Sequence, residues 1–323
     1  MLTTFSAAFS GTLIAVLDIA LVIGVAGVLV RKKVITQEHI TSLSAVTVVV
    51  FLPCLIFANV VKNFDPGALP FWWTIPLAGA AMPLVGLGLG ALVLMRELPE
   101  KRNLLPLASM QNAGYLVLPI GLKLFPDRFD TFALYCFLFI LGYNPLLWSI
   151  GRLLTAADDG RIGIRRALLT PPLVANAMGI LCVLLGVDAW IPKVALEAVE
   201  LLGQAAIPVA TFILGAVLGS IRLQLRTSWW DAVRTSAIKL MALPLITMAV
   251  VWMAGLDRSE PLLARFFVIE AAAAPATAII LQVRTYGGDE QKIGTVMLLS
   301  YLACTVTLPL WMALWGVVSS GVP

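Results

Sequence analysis

Glu270 stands five residues before Pro275 in "EAAAAPATAII", inside a stretch that otherwise reads as an apolar helix. A carboxylate near a bilayer centre costs roughly 2.5–3.5 kcal/mol on insertion scales. A proline in a helix interior removes a hydrogen bond and costs about 3 kcal/mol. Together they suit ion handling: the carboxylate takes a proton or a cation, and the broken backbone offers bare carbonyl and amide groups. Thr277 follows the proline closely. A second stretch, "QNAGYLVLPI" at 111–120, has a similar character, with Gln111, Asn112, Gly114, Tyr115 and Pro119. Asn112 can donate to a carboxylate and accept from another group. Gly114 admits close backbone approach. The expected substrate-binding residues are Asn112, Gln111, Gly114, Tyr115, Pro275, Thr277 and Asn144 of "GYNPLLW", which Tyr143 adjoins. Glu270 is the expected ion- or proton-coupling residue, and Pro119 and Pro275 are the expected helix breaks.

The elements that must hold these residues are membrane helices. Hydrophobic residues make up 60% of the chain and charged residues 12%, about half the charge of a soluble domain. A crossing needs about 20 apolar residues. Ten stretches qualify, near 11–30, 41–61, 71–95, 104–123, 130–151, 171–187, 196–220, 231–254, 264–284 and 294–317. The first ten residues carry no basic side chain, so a cleavable signal peptide is not expected. Cytoplasmic loops retain Lys and Arg. The loops after odd-numbered spans, with their edges, hold fifteen of the 22 basic residues, among them Arg161, Arg165 and Arg166. That bias puts both termini outside and the 153–170 linker in the cytoplasm.

The halves share proline order: Pro53 with Pro208, Pro83 with Pro244, Pro145 with Pro309. Five spans is an odd number, so two such halves lie in opposite orientations, the inverted-repeat plan of many secondary transporters. The expected units are 1–152 and 171–323, joined by the linker, with broken helices four and nine crossing near the midplane.

Three stretches carry a family resemblance: "LSAVTVVVFLPCLIFANV", "QNAGYLVLPI", and "AAAAPATAIILQVRTYGGDE" with "LPL" at 308–310. In their order and spacing the chain resembles the auxin efflux carrier family, which includes bacterial transporters and plant auxin exporters. The resemblance implies an all-α ten-helix fold shared with sodium–bile acid symporters. Helices 1, 2, 6 and 7 would form a scaffold; helices 3–5 and 8–10 would move as a transport unit. It further implies elevator motion, small organic anions such as malate or malonate as substrates, and a homodimer. Gln111, Val117 and Ile56 depart from the plant pattern and point away from auxin. The bacterial inner membrane is the expected location.

The remaining polar residues fit simpler roles. Asp18 reads as interfacial or structural, and Lys239 as snorkelling to the inner surface. Gln282 and Arg284 close span nine on the cytoplasmic side, with a substrate vestibule as the alternative, and His39 is solvated in a basic loop. The four cysteines read as small hydrophobes. "GLGLG" at 86–90 suits close helix packing, lacking the lysine of a phosphate loop. Asp158 and Asp159 lack the second acidic cluster of a membrane prenyltransferase, so an enzyme is not expected. No cofactor, metal or nucleic acid is expected; the coupling ion is a proton or sodium. A sodium-coupled carrier of a larger organic anion is the alternative, and a channel a remote one.

Overall fold

The computed structural model describes residues 2–155 and 169–320. Asp158, Asp159, Arg161, Arg165, Arg166 and most of the expected linker lie outside the described residues. Among those described, every element is helical. Seven helical runs are long and apolar enough to cross a membrane. They are α1 (Leu2–Arg31), α2 (Gln37–Asn63), α3 (Thr74–Val93), then, past two short helices described below, α6 (Pro126–Thr155), α8 (Lys193–Gly219), α9 (Ser228–Met253) and α12 (Glu290–Ser320). The apolar helix α7 (Pro171–Leu184) is shorter. Two apolar stretches are discontinuous. The first holds α4 (Leu105–Ser109) and α5 (Val117–Leu124); the second holds α10 (Pro261–Ala272) and α11 (Ala278–Tyr286).

Large side chains such as Leu21, Val194, Trp230 and Met253 are more than 70% exposed. On a water-facing surface such a coat is a liability; against lipid it is the expected face. This is a multi-pass membrane protein.

Prolines set the helical irregularities. Pro53 and Pro244 each follow a π-turn, Thr47–Phe51 in α2 and Ile238–Ala242 in α9. A proline ring cannot donate to the carbonyl four residues earlier and crowds it, and a wider turn relieves that contact. For Pro244 that carbonyl belongs to Leu240, and the Trp311 indole of α12 donates to it at 2.7 Å.

Glycines set the closest helix contacts. α1 and α8 pack through Gly27, Gly215 and Gly219, and α3 and α6 through Gly79 and Gly142. Of the "GLGLG" run, Gly86 and Gly90 lie against α4, whereas Gly88 faces open space. α2 packs on α7 and α8, and α9 and α10 pack on α12. The core around the discontinuous stretches is aromatic: Phe266 of α10 meets Phe132 and Phe139 of α6 edge-on, with ring centroids 5.4 and 5.8 Å apart.

Candidate functional site

The two helix breaks meet. Residues 110–116 separate α4 from α5, and residues 273–277 separate α10 from α11. They pair as a short antiparallel bridge between Gln111 and Pro275. The Asn112 amide donates to the Ala274 carbonyl and the Ala276 amide to the Met110 carbonyl, both at 2.9 Å. Pro275 fits here because the bridge does not call on it to donate. Pro119 is placed differently. It lies in the first turn of α5, past the break, where a missing N–H leaves no helical bond unmade.

Broken helices leave carbonyls that water cannot reach, and each must find a donor. Side chains from the flanking helices supply them. Tyr143 of α6 donates to the Gln111 carbonyl at 2.5 Å, and the Cys136 thiol, seven residues earlier on the same face of the helix, to Ala113 at 3.0 Å. From α12, Tyr301 donates to the Pro275 carbonyl at 3.0 Å and Cys304 to Ala272 at 3.5 Å. Lys239 of α9 donates to the Ala271 carbonyl at 2.6 Å. The Asn112 side chain closes the set, donating to the Tyr301 hydroxyl at 2.6 Å while its oxygen accepts from the Tyr115 amide at 3.1 Å.

Beside the crossing lies a cavity of about 210 Å³. The breaks present Gln111, Asn112, Gly114, Tyr115 and Thr277 to it, and α6 presents Tyr143, Asn144 and Trp148. Its far wall is Val48, Leu52 and Ile56 of α2 and Pro172 of α7. No charged side chain lines it among the described residues. The N-terminal ends of α5 and α11 both begin at its wall, so helix ends and amide groups are what it offers an anion.

Six of the seven expected substrate-binding residues therefore line one cavity. The seventh, Pro275, is held in the bridge behind it. Gln111 is fully buried; its amide touches the Met82 sulfur at 3.3 Å and its side-chain oxygen has no partner. Glu270 does not line the cavity. It is fully buried in the last turn of α10, three residues before the break, and neither carboxylate oxygen has a hydrogen-bond partner. Counted along its span from the outer side Glu270 stands shallow, but lateral cover from α6, α9 and α12 seals it. Lys239 does not snorkel. It is fully buried, because the Ala271 carbonyl at a helix end holds its ammonium inside. Cys136 and Cys304 are donors as well as small apolar groups.

The other polar residues take structural parts. Asp18 of α1 pairs with Lys123 of α5 at 2.9 Å. Gln282 is buried and donates to the Leu147 carbonyl at 3.0 Å, while Arg284 holds Glu290 and Ser220. His39 forms a capping box with Thr36 at the exposed start of α2. Near the ends of α3 and α9, Asp231 meets Lys101, Arg234 and Lys292, and Glu97 meets Lys101 and Arg234. The donors missed by sequence reasoning, Tyr301, Cys136 and Cys304, carried only the weak signal of hydroxyl and thiol groups inside apolar runs.

A multi-pass helical protein with a cavity at two paired helix breaks has the form of a membrane carrier. The profile of the membrane transport protein family matches residues 12–162 and 160–312. The chain belongs to this family, that of the auxin efflux carriers. An uncharacterized transporter of Methanocaldococcus jannaschii is 23% identical over 202 residues, which is 61% of this chain. The chain spans 65% of the length of that curated relative.

Proposed function

We propose that the protein is a secondary transporter of small organic anions, dicarboxylates such as malate or malonate foremost, that works by elevator-type alternating access. The observation that carries this reading is the cavity at the crossing. Two helix N-termini border it, and Asn112, Asn144 and Thr277 line it without a charged side chain among the described residues. A carboxylate bound by neutral donors and helix ends can be released again, as a carrier requires. The volume supports a small ligand, since it falls below the roughly 300–1,000 Å³ of drug-sized sites. A carrier of larger anions of bile-acid size needs more room.

The helix pairing supports the division into two units. In this reading α1, α2, α7 and α8 form the scaffold, and the crossing helices with α3, α6, α9 and α12 form the moving unit. The cavity falls between the two groups. A second, apolar cavity lies on the other side of the crossing, lined by α1, α5, α8 and α12. Exchanging the first five crossings for the last five turns the lining of one cavity largely into that of the other, as ten crossings in two inverted repeats would. Both termini lie outside a bacterial inner membrane in this reading, with the linker inside. Of the two coupling ions expected, a proton and sodium, this reading favours the proton, handled by the buried, unpartnered carboxylate of Glu270. Homodimeric assembly rests on the family resemblance.

Uptake of radiolabelled malonate and malate into proteoliposomes tests the proposal. Saturable uptake, abolished or weakened by Asn144→Ala, is the expected result. Unsaturable, ohmic flux would make the protein a channel, and no flux of any small carboxylate would remove the substrate class.

A further inference from the structure

Behind the crossing, away from the cavity, two fully buried ionisable side chains converge on the end of α10. Lys239 projects from the π-turn of α9 and Glu270 from the last turn of α10. The ammonium donates to the carbonyl of Ala271, the residue next to Glu270, while both Glu270 oxygens lack hydrogen-bond partners. The titratable groups about the pair are Cys136 and Tyr143 of α6 near Glu270, and Cys304 of α12 near Lys239.

The chemistry of this helix end is that of a cation site. The C-terminal end of a half-helix carries negative potential, and its freed carbonyls bind sodium or protons in carriers with discontinuous helices. A buried carboxylate adds a full negative charge. What stands at the freed Ala271 carbonyl is a side-chain ammonium that cannot leave, with the unpartnered Glu270 carboxylate on the adjoining residue.

We propose that the Lys239 ammonium is the resident cation of a monovalent-cation site formed by the Glu270 carboxylate and the carbonyl end of α10, so that this protein does not bind sodium there. The consequence for coupling rests on the reading of the crossing as a transport site; the occupancy of the cation site does not. Sodium is excluded because the ammonium already satisfies the helix end and balances the carboxylate. Removing the ammonium while keeping the carboxylate recreates a sodium site.

Thermal unfolding of the purified protein in detergent tests this without any substrate. Sodium, potassium and choline chlorides are compared at equal ionic strength for the wild type, Lys239→Met, and Lys239→Met with Glu270→Gln. The wild type is expected to unfold at one temperature in all three salts. Lys239→Met is expected to unfold lower in choline and to recover by at least about 3 °C in saturating sodium. The double variant should lose that recovery. Sodium stabilisation of the wild type over choline overturns the proposal, and so does a folded Lys239→Met protein indifferent to sodium. If Lys239→Met does not fold in choline, its purification in sodium alone supports the proposal. If it folds in neither salt, the wild type decides, indifference to sodium upholding the site and stabilisation refuting it. A failure of carboxylate uptake leaves all of these readouts intact, so the two readings fail separately.

Discussion

Asn112 and Tyr301 are hydrogen-bonded at 2.6 Å across the crossing, and the same phenol donates to the Pro275 carbonyl at 3.0 Å. One side chain of α12 therefore touches both broken segments. Backbone bonds between the segments number only the few around Gln111 and Pro275, so this clasp is a large part of what holds them in register. Tyr301→Phe keeps the ring and removes the hydroxyl. The Pro275 carbonyl is then left buried without its donor, at a cost of about 1–3 kcal/mol. The expected result is a lower unfolding temperature together with a weaker apparent affinity in uptake assays. An unchanged unfolding temperature would show that the clasp is not needed.

The contact of α3 with α6 makes a second test. A Cβ on Gly142 would overlap the Pro76 carbonyl, and backbone cannot swing aside as a long side chain can. Overpacking of this kind costs typically about 1–3 kcal/mol. Gly142→Ala should therefore unfold at a clearly lower temperature than wild type. Gly88→Ala, on an open face of α3, should unfold at or slightly above the wild-type temperature. Equal behaviour of the two variants would contradict the packing.

Much of the site could be read from the sequence, and the misses have a common cause. Asn112, Gly114, Pro275 and Thr277 stand out because they are locally out of place in an apolar helix. Local oddity is visible in one dimension. Tyr301, Cys136 and Cys304 matter because of where another segment's carbonyls fall, and nothing in their own neighbourhood marks them; Lys239 is conspicuous locally, but its burial depends on where the Ala271 carbonyl falls. Counting turns from the start of its span makes Glu270 look shallow. Depth along a helix and cover from the sides are different quantities, and the three helices packed around α10 decide the second. Pro119 was read as a break because prolines interrupt helices, but in a first turn a proline begins one.

Thr277 separates binding from stability. Its hydroxyl makes no capping bond to α11, and it faces the cavity among the amide groups of the breaks. Thr277→Val keeps shape and β-branching and removes one donor. Loss of one hydrogen bond to a charged ligand is worth about 1.5 kcal/mol, so the KM for the transported carboxylate should rise roughly ten-fold. The unfolding temperature without substrate should stay within about 1 °C of wild type, since no protein partner is lost. A KM equal to that of wild type would place the ligand elsewhere.

Acid stability tests the charged cluster at the ends of α3 and α9. Hydrogen bonds from Arg234 and then Lys101 hold the Glu97 carboxyl down to about 2. A carboxyl with a depressed folded-state value stabilises the fold above its ordinary value near 4.5, and that contribution fades as pH falls from there toward 2. Lys101 is shifted upward, chiefly by its bond to Asp231, so its own share persists across the acid range and fades only above its ordinary value of 10.5. Wild type should therefore unfold at a higher temperature than Glu97→Gln at pH 7, and the gap should narrow as pH is lowered from about 5 to 3. The gap should also shrink in high salt, because the cluster is partly solvated. A gap that stays constant from pH 7 to pH 3 would mean that Glu97 acts through its shape and not through its charge.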